Sequence, residues 1–282
     1  MQDVVYLVGL IATIVILISA TVSDIRTREI DDRHWIILGI IGTAVQAIYA
    51  CNSPTYMIAG VIIDILLILY MFWNKTNGIY GAAVLVVAGI VALLPWLNDT
   101  SNLIACRNVV TVVMFLSLLS MYCLGLIRGG ADVKALMCIA IAFPTYITSY
   151  GLPLLWDTAP PISFLFNPII ITLFIALIVS MLYSIYTIIL NIKNGDWHRS
   201  MFSAYWMPIE DARKSFVWPV IDADGNKIFR TESYDESDKI YNRLENAGYN
   251  RVLVTPMIPF MLPITIGFIF TIVLGNPISA IL

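Results

Sequence analysis

The sequence predicts an all-α polytopic membrane protein of about eight transmembrane helices, within a range of six to eight, with a small α+β cytoplasmic insertion before the last helix. Three observations carry that prediction. Apolar residues make up 59% of the 282 positions, against roughly 45–50% in an ordinary soluble domain. Asp, Glu, Lys and Arg together make up 12%, against roughly 25%. The charges that exist lie between long charge-free runs, and only residues 191–250 have the composition of soluble protein. A soluble enzyme, a disordered chain and a nucleic-acid-binding protein are all excluded on this basis.

A bilayer core of about 30 Å takes roughly 17–25 apolar residues in a helix. Runs of that kind occupy residues 4–22, 35–50, 57–73, 79–97, 109–127, 133–147, 168–192 and 255–275. The second and sixth are short, and Pro144 interrupts the sixth. In the short loops, Arg26, Arg28, Arg33, Lys75, Arg128 and Lys134 fall on one side, against Arg107 alone on the other. Positively charged loops stay cytoplasmic, so both termini are expected outside and the long polar segment inside. The amino terminus, Met-Gln-Asp, lacks the basic start of a secretory signal, and the first run is expected to remain as a helix.

The chain therefore divides into a helical bundle over 1–190, a cytoplasmic insertion over 191–254 and a last helix over 255–282. Inside the insertion, 216–221 and 227–230 read as two strands around a turn. Residues 233–248 read as a capped helix ending at Gly248. Asp222, Asp224 and Asn226 are spaced like the start of a calcium loop, but no Glu closes it, so a plain turn is expected. Cys51, Cys106, Cys123 and Cys138 form no C-x-x-C pair, and His34 and His198 stand alone, so neither a metal site nor a cofactor is expected. Cys51 and Cys106 both fall near the outer face and could pair; buried free thiols are the simpler reading.

Few acidic residues lie near the apolar runs, and two stand out. Asp24 closes the first run and Asp132 opens the sixth, which puts both at the cytoplasmic edge although 108 residues separate them. Singly, Asp24 reads as an ion pair with Arg28 at i+4, and Asp132 as a helix cap. Together, at one depth, they have what an aspartic protease requires. Two close carboxylates cannot both ionise, so one takes a proton from water while the other donates to the peptide carbonyl. Gly129 and Gly130 would let an extended substrate or another backbone approach, although small residues also serve helix packing. Asp64 lies inside the third run, nearer the outer end, and is expected to be a buried acid bonded to a neighbouring helix.

The segment Asp24-Ile-Arg-Thr-Arg-Glu-Ile resembles the first motif of the type IV prepilin peptidases. Gly129-Gly-Ala-Asp-Val-Lys resembles their second, the GxGD signature that they share with presenilin-type proteases. Asp31-Asp32, in place of the Pro-Asn of bacterial members, looks like the archaeal preflagellin peptidases. So does the Pro-rich approach to the last helix, Val254-Thr-Pro-Met-Ile-Pro-Phe-Met-Leu-Pro-Ile. The resemblance implies an aspartic endopeptidase that removes a short basic leader from pilin-like or archaellin precursors at the cytoplasmic face of the bilayer. Asp24 and Asp132 would be catalytic, with Gly129, Gly130, Ala131, Lys134, Arg26 and Arg28 as supporting motif residues. Glu29, Asp31 and Asp32 would attract the leader. The sequence departs from the family pattern in three ways: Ala131 replaces the second motif glycine, three apolar runs lie between the second run and Gly129 where one is expected, and no cysteine pairs accompany a methyltransferase function. Two other readings stay open, a presenilin- or signal-peptide-peptidase-like intramembrane protease and an ion-coupled transporter using Asp24, Asp64 and Asp132.

Overall fold

The computed structural model describes residues 2–72, 78–127, 129–146, 149–156, 167–197, 200–221 and 234–277. Elements follow in the order α1 (Gln2–Thr27), α2 (Arg33–Tyr49), α3 (Pro54–Phe72), α4 (Gly78–Asn98), α5 (Leu103–Cys123), α6 (Gly130–Ala142), α7 (Pro168–Asn194), β1 (Tyr205–Pro208), α8 (Ile209–Lys214), β2 (Val217–Pro219), α9 (Tyr234–Asn246), β3 (Arg251–Pro256) and α10 (Met261–Leu274). Each of the eight apolar runs is a helix. Five of these, α1, α3, α4, α5 and α7, are long and apolar enough to cross a bilayer on their own. The chain is a multi-pass, predominantly helical membrane protein.

Two compact units form, one from Met1–Leu177 with Pro259–Leu282 and one from Ile178–Ile258. In the first, α6 is the central element. Every residue from Ala135 to Phe143 is at most 3% exposed, so this helix is covered on all sides by protein. That explains its length: 13 residues rise only about 20 Å, too little to span lipid, but no lipid has to be met. It stops before Pro144, which cannot continue a helix, rather than at residue 147 as the apolar run suggested. α2 packs closely on it because Gly42 has no side chain: a Cβ there would lie 2.9 Å from the Ala142 backbone. By contrast α4 buries only Gly81, Ala88 and Ala92 and turns its large apolar residues outward, as a lipid-facing helix does.

The last run also begins later than its apolarity suggests. Residues 255–256 end β3, and α10 starts at Met261. The Pro256 and Pro259 rings hold the intervening chain out of the helix.

The second unit contains a three-stranded antiparallel sheet in the order β1-β3-β2, with Tyr205 opposite Val254 and Val217 opposite Pro256. Ile209, Val217, Tyr241, Leu244, Val252 and Val254 build a small core beneath it. The strand expected over 216–221 is present as β2. Its expected partner over 227–230, and the turn with Asp222, Asp224 and Asn226, lie outside the described residues. β2 pairs with β3, from the end of the unit, a long-range partner that no local pattern announces. α9 ends as predicted: Gly248 adopts φ +83°, and the Tyr249 amide returns to the Leu244 carbonyl.

Candidate active site

Asp24 sits in the last turn of α1 and Asp132 in the first turn of α6. The fold brings these two helix ends to one end of the first unit, beside the start of α10. Asp24 is 9% exposed, and its Oδ2 accepts the backbone N–H of Met261 at 3.2 Å. That contact belongs to a polar seam between α1 and α10. Thr21 Oγ1 lies 2.8 Å from Thr265 Oγ1 and donates to the Leu17 carbonyl, while Thr265 also reaches that carbonyl at 3.4 Å. In an apolar bundle such hydroxyls must bond to one another or to backbone, so they fix the register of the two helices and with it the position of the Met261 amide.

The chain after α1 is folded back over its last turn. Arg28 takes a left-handed conformation (φ 58°), and its amide closes on the Asp24 carbonyl at 3.1 Å. Ser23 and Thr27 then donate their hydroxyls to the Glu29 carbonyl at 2.8 and 3.0 Å. The local sequence therefore holds the helix end that carries Asp24 and places the Arg28 charge where it acts on that carboxylate.

Asp132 is half-buried, and burial pushes its carboxyl up to about 7, with the Asp24 charge adding in the same direction. The two acids are thus near enough to sense each other, although no hydrogen bond joins their carboxylates. The glycine requirement falls at Gly129. A Cβ there would sit on Asp132 Oδ2 and Cγ, whereas a Cβ at Gly130 would meet only Tyr122 Oη, at 3.8 Å. Neither glycine has positive φ, Gly129 being at −77°. Room for the Asp132 carboxylate, not backbone freedom, accounts for glycine at this point.

The remaining site residues divide sharply. Lys134 is bound to Asp32 at 2.6 Å, tying α6 to the start of α2, and lies over the Phe72 ring at 5.2 Å. Asp31 accepts the Arg33 amide at 2.9 Å and sits 3.5 Å from its guanidinium. Of the three acids expected to meet a basic leader, Asp31 and Asp32 therefore already have cations, and Glu29 is exposed with its carboxylate in no ion pair among the described residues. Ala131 is half-buried and Arg26 exposed. Arg128 lies outside the described residues. Asp64 is 4% exposed near the middle of α3, and no hydrogen bond or ion pair joins it to Asp24 or Asp132 among the described residues. Cys51 and Cys106 are both free thiols, one exposed and one buried.

Sequence reading missed the Met261 amide and the threonine seam. The available signal was in the pattern: Thr21 and Thr265 are hydroxyls inside otherwise apolar runs, and the backbone before α10 is freed by prolines.

Known proteins are similar to this chain in sequence. The model of the archaeal peptidase A24 C-terminus, type II, matches residues 198–276. A preflagellin peptidase of Methanococcus voltae is 23% identical over 292 aligned positions, covering 98% of this chain and 97% of the relative. A preflagellin peptidase of Methanococcus maripaludis is 25% identical over 282 positions, covering 97% and 96%. The resemblance carried by the two Asp motifs to the prepilin and preflagellin peptidases thus extends over the whole chain.

Proposed function

We propose that this relative of the preflagellin peptidases is a membrane-embedded aspartic endopeptidase that removes the short basic leader from archaellin or pilin-like precursors on the cytoplasmic side. The observation that carries the proposal is the electrostatic contact of Asp24 with Asp132, two buried or half-buried acids brought from α1 and α6 to one end of the bundle. Their unequal surroundings assign the roles. Asp24 is buried, which opposes its charge, but the backbone N–H it accepts and the Arg28 charge beside it both favour the ionised form, so it is the base. Asp132, held near 7, is the acid.

In the first step a water between them gives its proton to Asp24 and adds its oxygen to the scissile carbonyl carbon, while Asp132 passes its proton to the carbonyl oxygen. The tetrahedral diol then collapses. Asp132 takes back a hydroxyl proton, the C–N bond breaks, and Asp24 delivers its proton to the departing amine. Both carboxylates return to their starting states, and no metal, cofactor or covalent intermediate is needed for the balance.

Glu29 is the acid best placed to meet the leader's positive charges, Asp31 and Asp32 being already engaged. With Asp24 and Asp132 cytoplasmic, both termini are outside, in accord with the distribution of Lys and Arg among the short loops. The test is co-expression with candidate archaellin and pilin precursors in a host that lacks such a peptidase. A precursor shortened by its leader, with the new amino terminus read by mass spectrometry, is the expected result. Precursors that all stay full length would contradict it.

A further inference from the structure

At the end of the bundle away from Asp24 and Asp132, another charged residue is buried with no ion pair among the described residues. Gln2, at the start of α1, donates to the Tyr49 carbonyl at 3.2 Å, so the end of α2 lies about 33 Å along α1 from Asp24. There Arg107 belongs to the second turn of α5. The sequence suggests a loop cation at this position, but the helix begins at Leu103 and Arg107 is 4% exposed. Its guanidinium lies on the Tyr49 ring, 4.0 Å from the centroid. Beyond the Tyr49 side chain, none of its three nitrogens has a hydrogen-bond partner among the described residues. Asp64 acts on it electrostatically without forming an ion pair, and Asp64 Oδ2 has no hydrogen-bond partner among the described residues.

A permanently charged group so buried is costly unless its donors are met; the nitrogens themselves are closed off from solvent, but the Arg107 side chain borders a cleft toward which it can turn. Arg107 lines it together with Gln46, Tyr49, Tyr56, Gly60, Ile104 and Asn108, from the facing ends of α2, α3 and α5. The cleft opens at this end of the bundle, and its inner part has room for one water-sized group. A ligand would therefore insert a single oxygen and keep its bulk at the mouth, where apolar side chains of the helix ends continue onto the lipid-facing surface.

We propose that this cleft is an oxyanion site for a phosphate group, with Arg107 as the cation that receives it. A guanidinium suits a phosphate oxygen better than a halide, because its N–H groups point as a fork onto acceptor lone pairs. Two sources supply such a group here, inorganic phosphate and the headgroup of an anionic phospholipid. They share the recognition chemistry and differ only in what lies at the mouth.

The test uses the full-length protein in dodecyl maltoside micelles, which contain no phosphate, and reads the thermal unfolding midpoint. Inorganic phosphate, short-chain phosphatidylglycerol and a diacylglycerol of the same chains are added in separate arms. The midpoint should rise with phosphatidylglycerol, and with inorganic phosphate too if the acyl chains are dispensable, but not with diacylglycerol. Arg107→Gln should weaken the effect about tenfold or more, the scale of charge-assisted hydrogen bonds. Ala47 also lines the cleft, so Ala47→Leu, which narrows it and leaves the cation in place, should abolish the response even if Arg107→Gln folds poorly. Both variants should process precursor normally, since the cleft is remote from Asp24 and Asp132. No rise in the unmodified protein, an equal rise with diacylglycerol, or a rise undiminished in Ala47→Leu would each overturn the site. None of these outcomes bears on whether the chain is a peptidase.

Discussion

At Asp132, burial and the neighbouring Asp24 charge set a carboxyl near 7, and two consequences follow for pH. As the acid of the reaction it must be protonated while Asp24 stays ionised, so processing should hold its rate from the pH at which Asp24 ionises up to about 7 and fall about tenfold per pH unit above it. The folded protein also holds this proton more tightly than an unfolded chain, whose value is 3.8. The group's contribution to stability is therefore full below about 4 and lost as pH rises towards 7. Asp132→Asn should flatten that part of a stability–pH curve, a readout that does not depend on activity. Beside it, Gly129→Ala should cost at least tenfold in processing, because its Cβ would displace the Asp132 carboxylate, while Gly130→Ala should be tolerated. A rate profile flat through pH 8, or equal effects at the two glycines, would contradict this account of the residue. Asp24 and Asp132 were legible in the sequence because each is a lone carboxylate where an apolar run meets basic residues. The Met261 amide was not legible, since a backbone donor 237 residues from its acceptor leaves no residue-type signal.

Among the elements, the seam between α1 and α10 matters most for the site. Thr265→Val removes its contacts with Thr21 and the Leu17 carbonyl. The variant should lose about 1 kcal/mol of stability and, by loosening the Met261 amide from Asp24, reduce kcat more than KM. An unchanged kcat would detach α10 from the site. In the second unit Arg213 binds Asp238, Asn242 and Glu245 at 3.1, 2.7 and 2.9 Å, so Arg213→Ala should raise proteolysis of that unit. These contacts are half-exposed, which limits the expected loss to about 1 kcal/mol. All eight apolar helices could be read from hydropathy, because lipid demands long apolar runs. Their ends could not always be read so. α6 stops at Pro144 although the run goes on, and α10 starts late because 255–256 belong to a strand. β1 escaped notice for a different reason: four residues paired with a strand near the end of the unit carry no local period.

For the whole molecule, orientation is the claim on which a cytoplasmic cleavage site depends. In a background with the four cysteines replaced, an impermeant thiol reagent added from outside should label a cysteine placed at 99–102 and leave one at 236–246 unlabelled. The reverse pattern would turn the bundle over and put both acids on the outer face. The expected orientation rests on charge distribution, whereas the buried state of Arg107 was hidden by the same counting, which treats every cation between two apolar runs as belonging to a loop. The central claim, that Asp24 and Asp132 act as one pair, is tested most directly by a processing assay on purified Asp24→Asn, Asp132→Asn and Asp64→Asn proteins, each checked for insertion and unfolding midpoint. The pair predicts that the first two lose activity by at least about a hundredfold while remaining folded, and that Asp64→Asn keeps most of it. Appreciable cleavage by either of the first two variants would contradict the pair.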